Sequence, residues 1–368
     1  MRRLKGVYSL DTEIFDLVYG PEQREQIARH VTIVAPPMNG DSLMRRPDLL
    51  KEAEVIFGGW GGPRFDEQFF DLAPNMQAVF YAGGAPASVP ANAAERGVVM
   101  TSAHIANSIP VAEYTLATIL FSLKHGWHLI HRTKAMRTFP DRNHAPGNYG
   151  STVGLVSLGA IARILRVLLE PFDLKILASD PFLSASEADD LDVTRASLDE
   201  IFEQSDVVSL HTPLKPETEG LITGRHLMSM RPGATFINTA RGGVVRQDEL
   251  IEVAKQRPDL QFVLDVTNPE PPEKESPLYD LPNVVLTPHI AGSAGGELRR
   301  MGQYLAEELE RFVAGERLQW AVPARPVAQR LLSPSLIRSR RTGGKDQLGN
   351  ASIFLPHSSS LLPVRQIH

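Results

Sequence analysis

The sequence contains no cysteine among its 368 residues. This absence excludes disulfide bonds, thiolate metal sites, iron–sulfur clusters and cysteine nucleophiles. Long hydrophobic runs are also missing, because the most apolar stretch, Ile109 to Leu123, includes Glu113 and is too short to cross a bilayer. We therefore expect no membrane partner. We also expect no secretory signal, since Asp11 and Glu13 precede any apolar segment, and cytoplasmic residence follows as the default.

The net charge is small, but the charged residues are unevenly distributed. The net charge is −5, yet residues 323–368 carry seven basic groups and one acidic group, which leaves −11 on the rest of the chain. An acidic body argues against a nucleic-acid partner. The basic tail is rich in Ser, Pro and Gly, and its one basic cluster has no interleaved aromatic residues. It is therefore predicted to be a poorly ordered extension rather than a nucleic-acid-binding arm.

Short β-branched runs alternate with helical patterns along most of the chain, which is typical of an α/β protein with parallel sheets. At this length about two domains are expected, each a doubly wound parallel sheet. Ten strands are predicted: Val31–Ala35, Val55–Phe57, Ala78–Tyr81, Val98–Thr101, Val153–Ser157, Lys175–Ala178, Val207–Leu210, Thr235–Thr239, Phe262–Val266 and Val284–Thr287.

Two long helices mark the predicted domain boundaries. Ile109 to Ile130 is predicted to form one helix with Pro110 in its first turn, and Glu297 to Phe312 a second that ends at Gly315. Residues 110–295 would then form one domain, and residues 1–109 with 296–322 the other. Residues 131–150 lack periodicity and indicate a connector or an oligomer arm.

A degenerate dinucleotide-binding motif follows Ser151. A strand, a glycine turn, a helix and a second strand ending in Asp180 match the fingerprint. Its second glycine is Gly159 and its third position is the permitted Ala162, but Ser157 replaces the first glycine. The turn backbone from Gly159 through Ala160 and Ile161 is predicted to approach a pyrophosphate. The alternative is that the motif is only a structural turn between a strand and a helix, as such degenerate motifs often are.

Asp180 favours NAD over NADP. A carboxylate at this strand tip would accept hydrogen bonds from ribose hydroxyls and repel a 2′-phosphate, and no arginine follows within Pro181 to Ser184. The alternative is that Asp180 and Pro181 merely start a turn.

Three ionisable residues follow three predicted strands: Arg241, Glu270 and His289. Ligands bind at the carboxyl ends of strands in open α/β sheets, so these side chains are predicted to converge. Hydride-transfer chemistry would use the arginine to hold a carboxylate and polarise a carbonyl, and the histidine to move the hydroxyl proton. The carboxylate would orient the histidine and favour its protonated form.

The segments Val207–Thr218, Met230–Gly243 and Leu281–Gly292 resemble motifs of the D-isomer-specific 2-hydroxyacid dehydrogenases, which include phosphoglycerate dehydrogenase and glyoxylate/hydroxypyruvate reductases. The resemblance covers about residues 50–320. It implies a Rossmann NAD-binding domain inserted in a flavodoxin-like substrate domain, and catalytic roles for Arg241, Glu270 and His289. It also implies nicotinamide-side contacts from His211, Thr212, Pro213, Thr218, Thr239, Ala240 and Asp265.

The sequence departs from the phosphoglycerate enzymes of this family in its substrate loop. The stretch Gly58–Gly62 lacks paired arginines, so a small or apolar 2-keto acid lying against Trp60 is favoured over a phosphorylated one. The resemblance aligns the carboxylate-binding loop with Tyr81 to Pro86. Because Pro86 has no N–H, the amides of Gly83, Gly84 or Ala85 would bind the anion. Asn107 matches a pocket asparagine, and the length leaves no room for the family's regulatory domain.

These observations favour an NAD-dependent 2-hydroxyacid dehydrogenase that reduces a small 2-keto acid. The partner would be that small molecule, without a metal, and residues 124–150 resemble the family's dimer arm, so a homodimer is expected. Two alternatives stay open. One is an NAD-sensing scaffold resembling the C-terminal-binding corepressors, and the other is a paralogue whose cofactor affinity is weakened by Ser157.

Overall fold

The computed structural model describes residues 2–84 and 89–323. Within these ranges the chain forms two all-parallel sheets, one of five strands and one of seven. Helices cover both sheets, which therefore present apolar residues on two faces. The fold is that of two α/β domains, as the alternating pattern predicts.

The five-stranded sheet has the order β2-β1-β3-β4-β5, the flavodoxin-like order. Its strands are β1 (Leu4–Ser9), β2 (Val31–Ile33), β3 (Val55–Gly59), β4 (Ala78–Ala82) and β5 (Val99–Ser102). The helices that lie between β1 and β5 in the chain are α1 (Phe15–Val18), α2 (Pro21–Ala28), α3 (Gly40–Met44), α4 (Pro47–Glu52), α5 (Glu67–Leu72) and α6 (Ala91–Glu95).

The seven-stranded sheet has the order β12-β11-β10-β9-β6-β7-β8, the Rossmann order extended by one strand. Its strands are β6 (Thr152–Val156), β7 (Lys175–Ser179), β8 (Thr194–Arg195), β9 (Val207–Leu210), β10 (Thr235–Asn238), β11 (Gln261–Leu264) and β12 (Val284–Leu286). The remaining helices are α7 (His104–Ser122), α8 (Gly126–Met136), α9 (Ala160–Leu169), α10 (Ala185–Asp190), α11 (Leu198–Gln204), α12 (Gly224–Met228), α13 (Gln247–Gln256) and α14 (Leu298–Ala314).

All ten predicted strands are present, and sequence analysis missed two, β1 and β8. Strand β1 lies inside the sheet, between β2 and β3, yet it contains Gly6, which weakens a strand pattern. Packing requires that glycine, because a β carbon there would lie 2.5 Å from Cγ1 of Val31. Strand β8 has only two residues, both exposed, and so carries no apolar signal.

The prediction of one helix from Ile109 to Ile130 was wrong. Helix α7 begins earlier, at His104, so that Pro110 lies inside the helix rather than in its first turn. The helix ends at Ser122, and His125 then adopts a left-handed conformation with φ of 51° before α8 begins. Residues 131–150, predicted to form a connector or an oligomer arm, begin with the last turns of α8.

The second long helix agrees closely with its prediction. Helix α14 ends at Gly315, whose φ of 69° is the left-handed cap that glycine supplies without strain. It packs on the five-stranded sheet with Ala103 and Ala106 of the α7 region, which places it with the amino-terminal part of the chain. The exact domain bounds stay a prediction, and the basic tail beyond residue 323 lies outside the described residues. None of the helices described in residues 2–84 and 89–323 is long and apolar enough to span a membrane.

Candidate active site

The predicted dinucleotide turn lies at the carboxyl end of β6, where the chain order of the sheet reverses between β6 and β9. Ser157 has a φ of 69°, so the serine adopts the conformation that the fingerprint's first glycine normally supplies. Its hydroxyl lies 2.8 Å from the hydroxyl of Thr212, in the loop after β9. This hydrogen bond helps to hold the residue in a conformation that is unfavourable for a side chain.

Gly159 is the N-cap of α9, so Ala160 and Ile161 are its first two residues and present their N–H groups at the helix start. A β carbon built on Gly159 has nothing within 4 Å, which leaves open space above the turn. Free amides beside an open surface at a helix N-terminus form the kind of cradle that a pyrophosphate requires. These residues therefore fit a dinucleotide.

Asp180 follows β7 and already accepts two backbone hydrogen bonds. Its Oδ2 accepts from the amide of Leu158 at 2.7 Å, and its Oδ1 accepts from the amide of Phe182 at 2.8 Å. The second bond closes the turn that is expected if Asp180 and Pro181 serve only to start a turn. The first ties the carboxylate to the glycine turn itself, beside the cradle. Each oxygen keeps a lone pair for another donor.

His211, in the loop after β9, is almost fully buried. Burial lowers the pKa of its imidazole from 6.5 to about 4, so the ring is neutral at physiological pH. Its Nε2 lies 3.0 Å from the hydroxyl of Ser209, whereas its buried Nδ1 has no hydrogen-bond partner among the described residues. An unsatisfied buried nitrogen at this edge of the sheet fits a site completed by a ligand.

The other predicted cofactor contacts differ in their surroundings. The hydroxyl of Thr218 bonds the carbonyl of Pro213 at 2.6 Å and closes the exposed turn between them. Thr239 is buried at the end of β10 and lies 3.3 Å, between hydroxyl oxygens, from Thr115 of α7. Ala240 is buried, and its amide donates to the side chain of Asn238. Thr218 and Thr239 thus already have structural partners in the protein.

His289 and Glu270 come together although they belong to loops after different strands. The imidazole Nδ1 lies 2.5 Å from Oε1 of Glu270, and both side chains are nearly half exposed. His289 has a φ of 55°, a left-handed conformation that is rare for a residue with a β carbon. The pair leaves Nε2 of His289 available at the carboxyl edge of the sheet.

Arg241 lies at the end of β10, two strands from His289, with its guanidinium on the carbonyl of Ala240 at 2.6 Å. Its backbone is held by Asn238, whose side-chain amide donates to the carbonyl of Arg241 at 3.2 Å. No described residue forms a salt bridge with Arg241 within 4 Å, so among residues 2–84 and 89–323 this cation has no carboxylate of its own. The three predicted catalytic residues therefore share one edge, and two of them touch.

Asp265 follows β11 and is buried. Its carboxylate is directed at the loop after β12, residues 287–294, which we call the His289 loop. Its oxygens accept from the amides of Ile290 at 2.8 Å and Ala291 at 2.9 Å, and from the hydroxyl of Thr287 at 2.7 Å. The family resemblance assigns it to the cofactor, whereas these contacts show that most of its hydrogen-bonding capacity holds the protein's own loop.

The predicted substrate residues lie at the carboxyl ends of the five-stranded sheet. Trp60 follows β3 and is 38% exposed. Gly83 is buried after β4, and its carbonyl accepts from the hydroxyl of Ser102 at 2.8 Å, whereas Gly84 is exposed. Asn107, in the first turns of α7, accepts at Oδ1 from the amide of Ser293 in the His289 loop at 2.9 Å. Ala85 and Pro86 lie outside the described residues.

Sequence analysis missed the residues that support this edge. Asn238 was predicted only as part of a strand and Tyr114 only as part of a helix, because neither residue interrupts the apolar pattern. The hydroxyl of Tyr114 lies 2.9 Å from that of Thr287, a residue 173 positions further along the chain. Only the tertiary fold brings such pairs together. In residues 2–84 and 89–323, no group of His, Asp and Glu could hold a metal ion.

A Rossmann-ordered sheet with a dinucleotide cradle, in one chain with a flavodoxin-like sheet, defines a two-domain dinucleotide-binding α/β protein. Residues 116–291 match the family described as D-isomer specific 2-hydroxyacid dehydrogenase, NAD binding domain. The chain is also 35% identical over 233 residues to (S)-sulfolactate dehydrogenase of Chromohalobacter salexigens, covering 62% of this chain and 75% of that one. The chain belongs to the D-isomer specific 2-hydroxyacid dehydrogenase family, and NAD is the cofactor of its matched domain.

Other relatives give the same family with different coverage. D-3-phosphoglycerate dehydrogenase of Archaeoglobus fulgidus is 30% identical over 273 residues, which is 70% of this chain and 49% of that one. The chain thus spans about half the length of the phosphoglycerate dehydrogenases it matches. Among solved structures, a glyoxylate reductase from Paecilomyes thermophila superposes with a TM-score of 0.71 at 20% identity, covering 88% of this chain and 99% of that one. That likeness establishes the fold.

Proposed function

We propose that this protein is an NAD-dependent oxidoreductase acting on a small 2-hydroxy or 2-keto acid, and that it reduces the keto acid. The contact between His289 and Glu270 carries this proposal, because it supplies an oriented proton donor at the same sheet edge as Arg241 and the dinucleotide cradle. When bound, NAD would supply or accept the hydride. The remaining chemistry belongs to the side chains of this chain.

His289 is the proposed acid and base, and Arg241 the proposed carboxylate ligand. In reduction, imidazolium Nε2 donates a proton to the keto oxygen, while Glu270 holds Nδ1 and stabilises the positive charge. Arg241 binds the substrate carboxylate and polarises the neighbouring carbonyl. In oxidation, neutral His289 removes the hydroxyl proton.

The cofactor would lie along the carboxyl edge of the seven-stranded sheet. The amides of Gly159, Ala160 and Ile161 would hold the pyrophosphate, and Asp180 the adenosine ribose. On the nicotinamide side we propose the remaining contacts of the resemblance: His211, Thr212, Pro213, Thr218, Thr239, Ala240 and Asp265. The buried, unpartnered Nδ1 of His211 supports that assignment.

We propose a substrate with an uncharged side chain rather than a phosphorylated one. Gly83, Gly84 and Asn107 would position its carboxylate, and the exposed indole of Trp60 would contact its side chain. Residues Gly58–Gly62 supply no cation for a second anionic group. The named activities of the relatives nevertheless make phosphorylated and sulfonated acids the necessary comparison substrates.

A substrate panel with NADH tests the proposal. Glyoxylate, hydroxypyruvate, phenylpyruvate and branched 2-keto acids would be compared with 3-phosphohydroxypyruvate and 3-sulfopyruvate. We expect kcat/KM to be highest for an uncharged side chain and to fall at least tenfold in His289→Ala. Preference for a doubly anionic substrate would overturn the substrate assignment but leave the reaction intact.

Absence of turnover would favour one of the two alternatives. Tight NADH binding without reduction of any keto acid is the outcome for an NAD-sensing scaffold. Weak NADH binding together with absent turnover is the outcome for a weakened paralogue. Fluorescence titration with NADH separates the two.

We also propose a homodimer in the cytoplasm, assembled through residues 124–150. Helix α8 has no buried residue, and this segment exposes several large apolar side chains, namely Ile130, Met136, Phe139 and Tyr149. Phe139 is 91% exposed, which is unusual for phenylalanine on a free surface. Light scattering after gel filtration should give twice the chain mass, and Phe139→Asp should shift the protein toward monomer.

A further inference from the structure

The His289 loop is hydrogen-bonded to α7 at two points. Asn107 accepts from the amide of Ser293 after His289, and Tyr114 contacts Thr287 before it. Asn107 and Tyr114 are seven residues apart, two helical turns, and therefore lie on the same face of α7. This face holds both ends of the loop that carries His289.

The Tyr114 contact continues into the loop through a directed chain of hydrogen bonds. The hydroxyl of Thr287 donates to Oδ1 of Asp265, and a hydroxyl has only one proton to donate. Thr287 must therefore accept from Tyr114, which fixes the phenol as the donor. Burial, with a smaller contribution from the charge of Asp265, raises the pKa of Tyr114, so the phenol keeps its proton at physiological pH.

Asp265 connects the hydrogen bond between Tyr114 and Thr287 to the proposed catalytic residue His289. Its carboxylate accepts from the amides of Ile290 and Ala291, and its carbonyl accepts from the amide of His289 itself at 3.0 Å. His289 is held in a left-handed conformation that only a well-supported loop maintains. We propose that Tyr114 is a positioning residue for His289 and acts through Thr287 and Asp265. Only the kinetic consequence of this inference rests on the proposed function.

Tyr114→Phe tests the proposal, because it removes one hydroxyl and keeps the ring. Thr287→Val removes the next hydroxyl, and Thr287→Ser restores it. Ser108→Ala is the matched control, since the hydrogen bond of its hydroxyl within the part of the chain that the structure describes goes to the carbonyl of His104 in the same helix. We expect kcat to fall about three- to tenfold in Tyr114→Phe and Thr287→Val, with KM for NADH within twofold of the parent value. Thr287→Ser and Ser108→Ala should retain the parent kcat.

The double variant separates a relay from two independent contacts. If both hydroxyls act along one chain, Tyr114→Phe combined with Thr287→Val should be no worse than Thr287→Val alone. Multiplying effects, or a parent-like kcat in Tyr114→Phe, would overturn the proposal.

A readout independent of turnover distinguishes this proposal from the proposed function. The imidazole Hε1 resonance of His289, assigned by its loss in His289→Gln, should move in Tyr114→Phe and stay in place in Ser108→Ala. If the parent enzyme reduces no keto acid but the resonance moves, the proposed function fails and the positioning role stands. An unmoved resonance contradicts the positioning role whatever the activity.

Discussion

Nδ1 of His289 lies 2.5 Å from Oε1 of Glu270, although the two residues are 19 positions apart in sequence and a strand lies between them. The parallel order of β11 and β12 brings the loops after these strands to one edge. A carboxylate in this position accepts a hydrogen bond from Nδ1 and leaves Nε2 to act on a keto oxygen. The contact therefore orients the proposed acid and base.

Glu270→Gln should lower kcat/KM in both directions. The amide keeps a side chain of similar shape beside Nδ1 of His289 but removes the charged acceptor that orients the ring. We expect kcat/KM to fall about tenfold or more, with KM for NADH close to the parent value. Steady-state kinetics in both directions, with chemistry shown to be rate-limiting, check this. Parent-like kcat/KM would mean that the pair has no role in proton transfer.

Asp180→Asn should reduce the preference for NADH. We expect the parent enzyme to favour NADH over NADPH by on the order of tenfold or more, because the carboxylate repels a 2′-phosphate. Asparagine is a better test than alanine, since Oδ1 can still accept one of the two backbone bonds that Asp180 makes. Specificity constants with both cofactors provide the measurement. Equal constants in the parent would remove the electrostatic argument.

Ser157→Gly and Ser157→Ala should differ in stability. Both lose the bond to Thr212, which costs about 1 kcal/mol, but only glycine relieves the left-handed strain of about 1–2 kcal/mol. Added chain entropy offsets part of that relief, so the glycine variant should lie within about 1 kcal/mol of the parent. Urea unfolding should show the alanine variant to be the less stable of the two. NADH affinity that rises more than tenfold in Ser157→Gly would instead support the weakened paralogue.

His211 should make folding stability depend on pH between about 6.5 and 4. Its pKa is about 4 in the folded protein and near 6.5 when unfolded, so only the unfolded state gains the proton in this range. Stability contributed by neutral His211 is complete above pH 6.5 and is lost as pH falls, by up to about 3 kcal/mol. His211→Gln should flatten this slope. His144→Gln, at an 87% exposed side chain, should not.

Sequence patterns predicted the strands well because burial on two faces leaves continuous β-branched runs. They failed where packing overrides local preference. Gly6 weakens the pattern of β1 yet is required beside Val31. Likewise, the break at His125 depends on a left-handed backbone that no proline or preceding glycine announces.

For the site, sequence predicted the ionisable residues at the strand ends, since topology alone brings strand ends together. It could not predict which atoms touch. The hydroxyl pair of Tyr114 and Thr287, and the commitment of Asp265 to the His289 loop, depend on distances between segments far apart in the chain. Periodicity carries no information about such contacts.

Gly242→Ala should damage both folding and catalysis, because this glycine lies where the loops of Arg241 and Glu270 pack together. A β carbon on Gly242 would lie 2.0 Å from the backbone carbonyl of Thr267, which cannot rotate away as a side chain could. The two loops must therefore separate, at a cost of about 1–3 kcal/mol, and Arg241 moves relative to the Glu270–His289 pair. We expect kcat/KM to fall on the order of 100-fold.

Gly243→Ala is the matched control for this prediction. The nearest atoms to its added β carbon are the methyl groups of Leu214, at 3.2 and 3.3 Å, on a side chain that is 47% exposed and free to shift. Gly243 and Gly242 both lie in the 3-10 turn after Arg241, so any general effect of alanine on that turn applies to both variants. Thermal unfolding and steady-state kinetics should therefore show a large loss in Gly242→Ala and a small one in Gly243→Ala. Equal losses would show that the turn itself, and not the spacing between the Arg241 and Glu270 loops, limits activity.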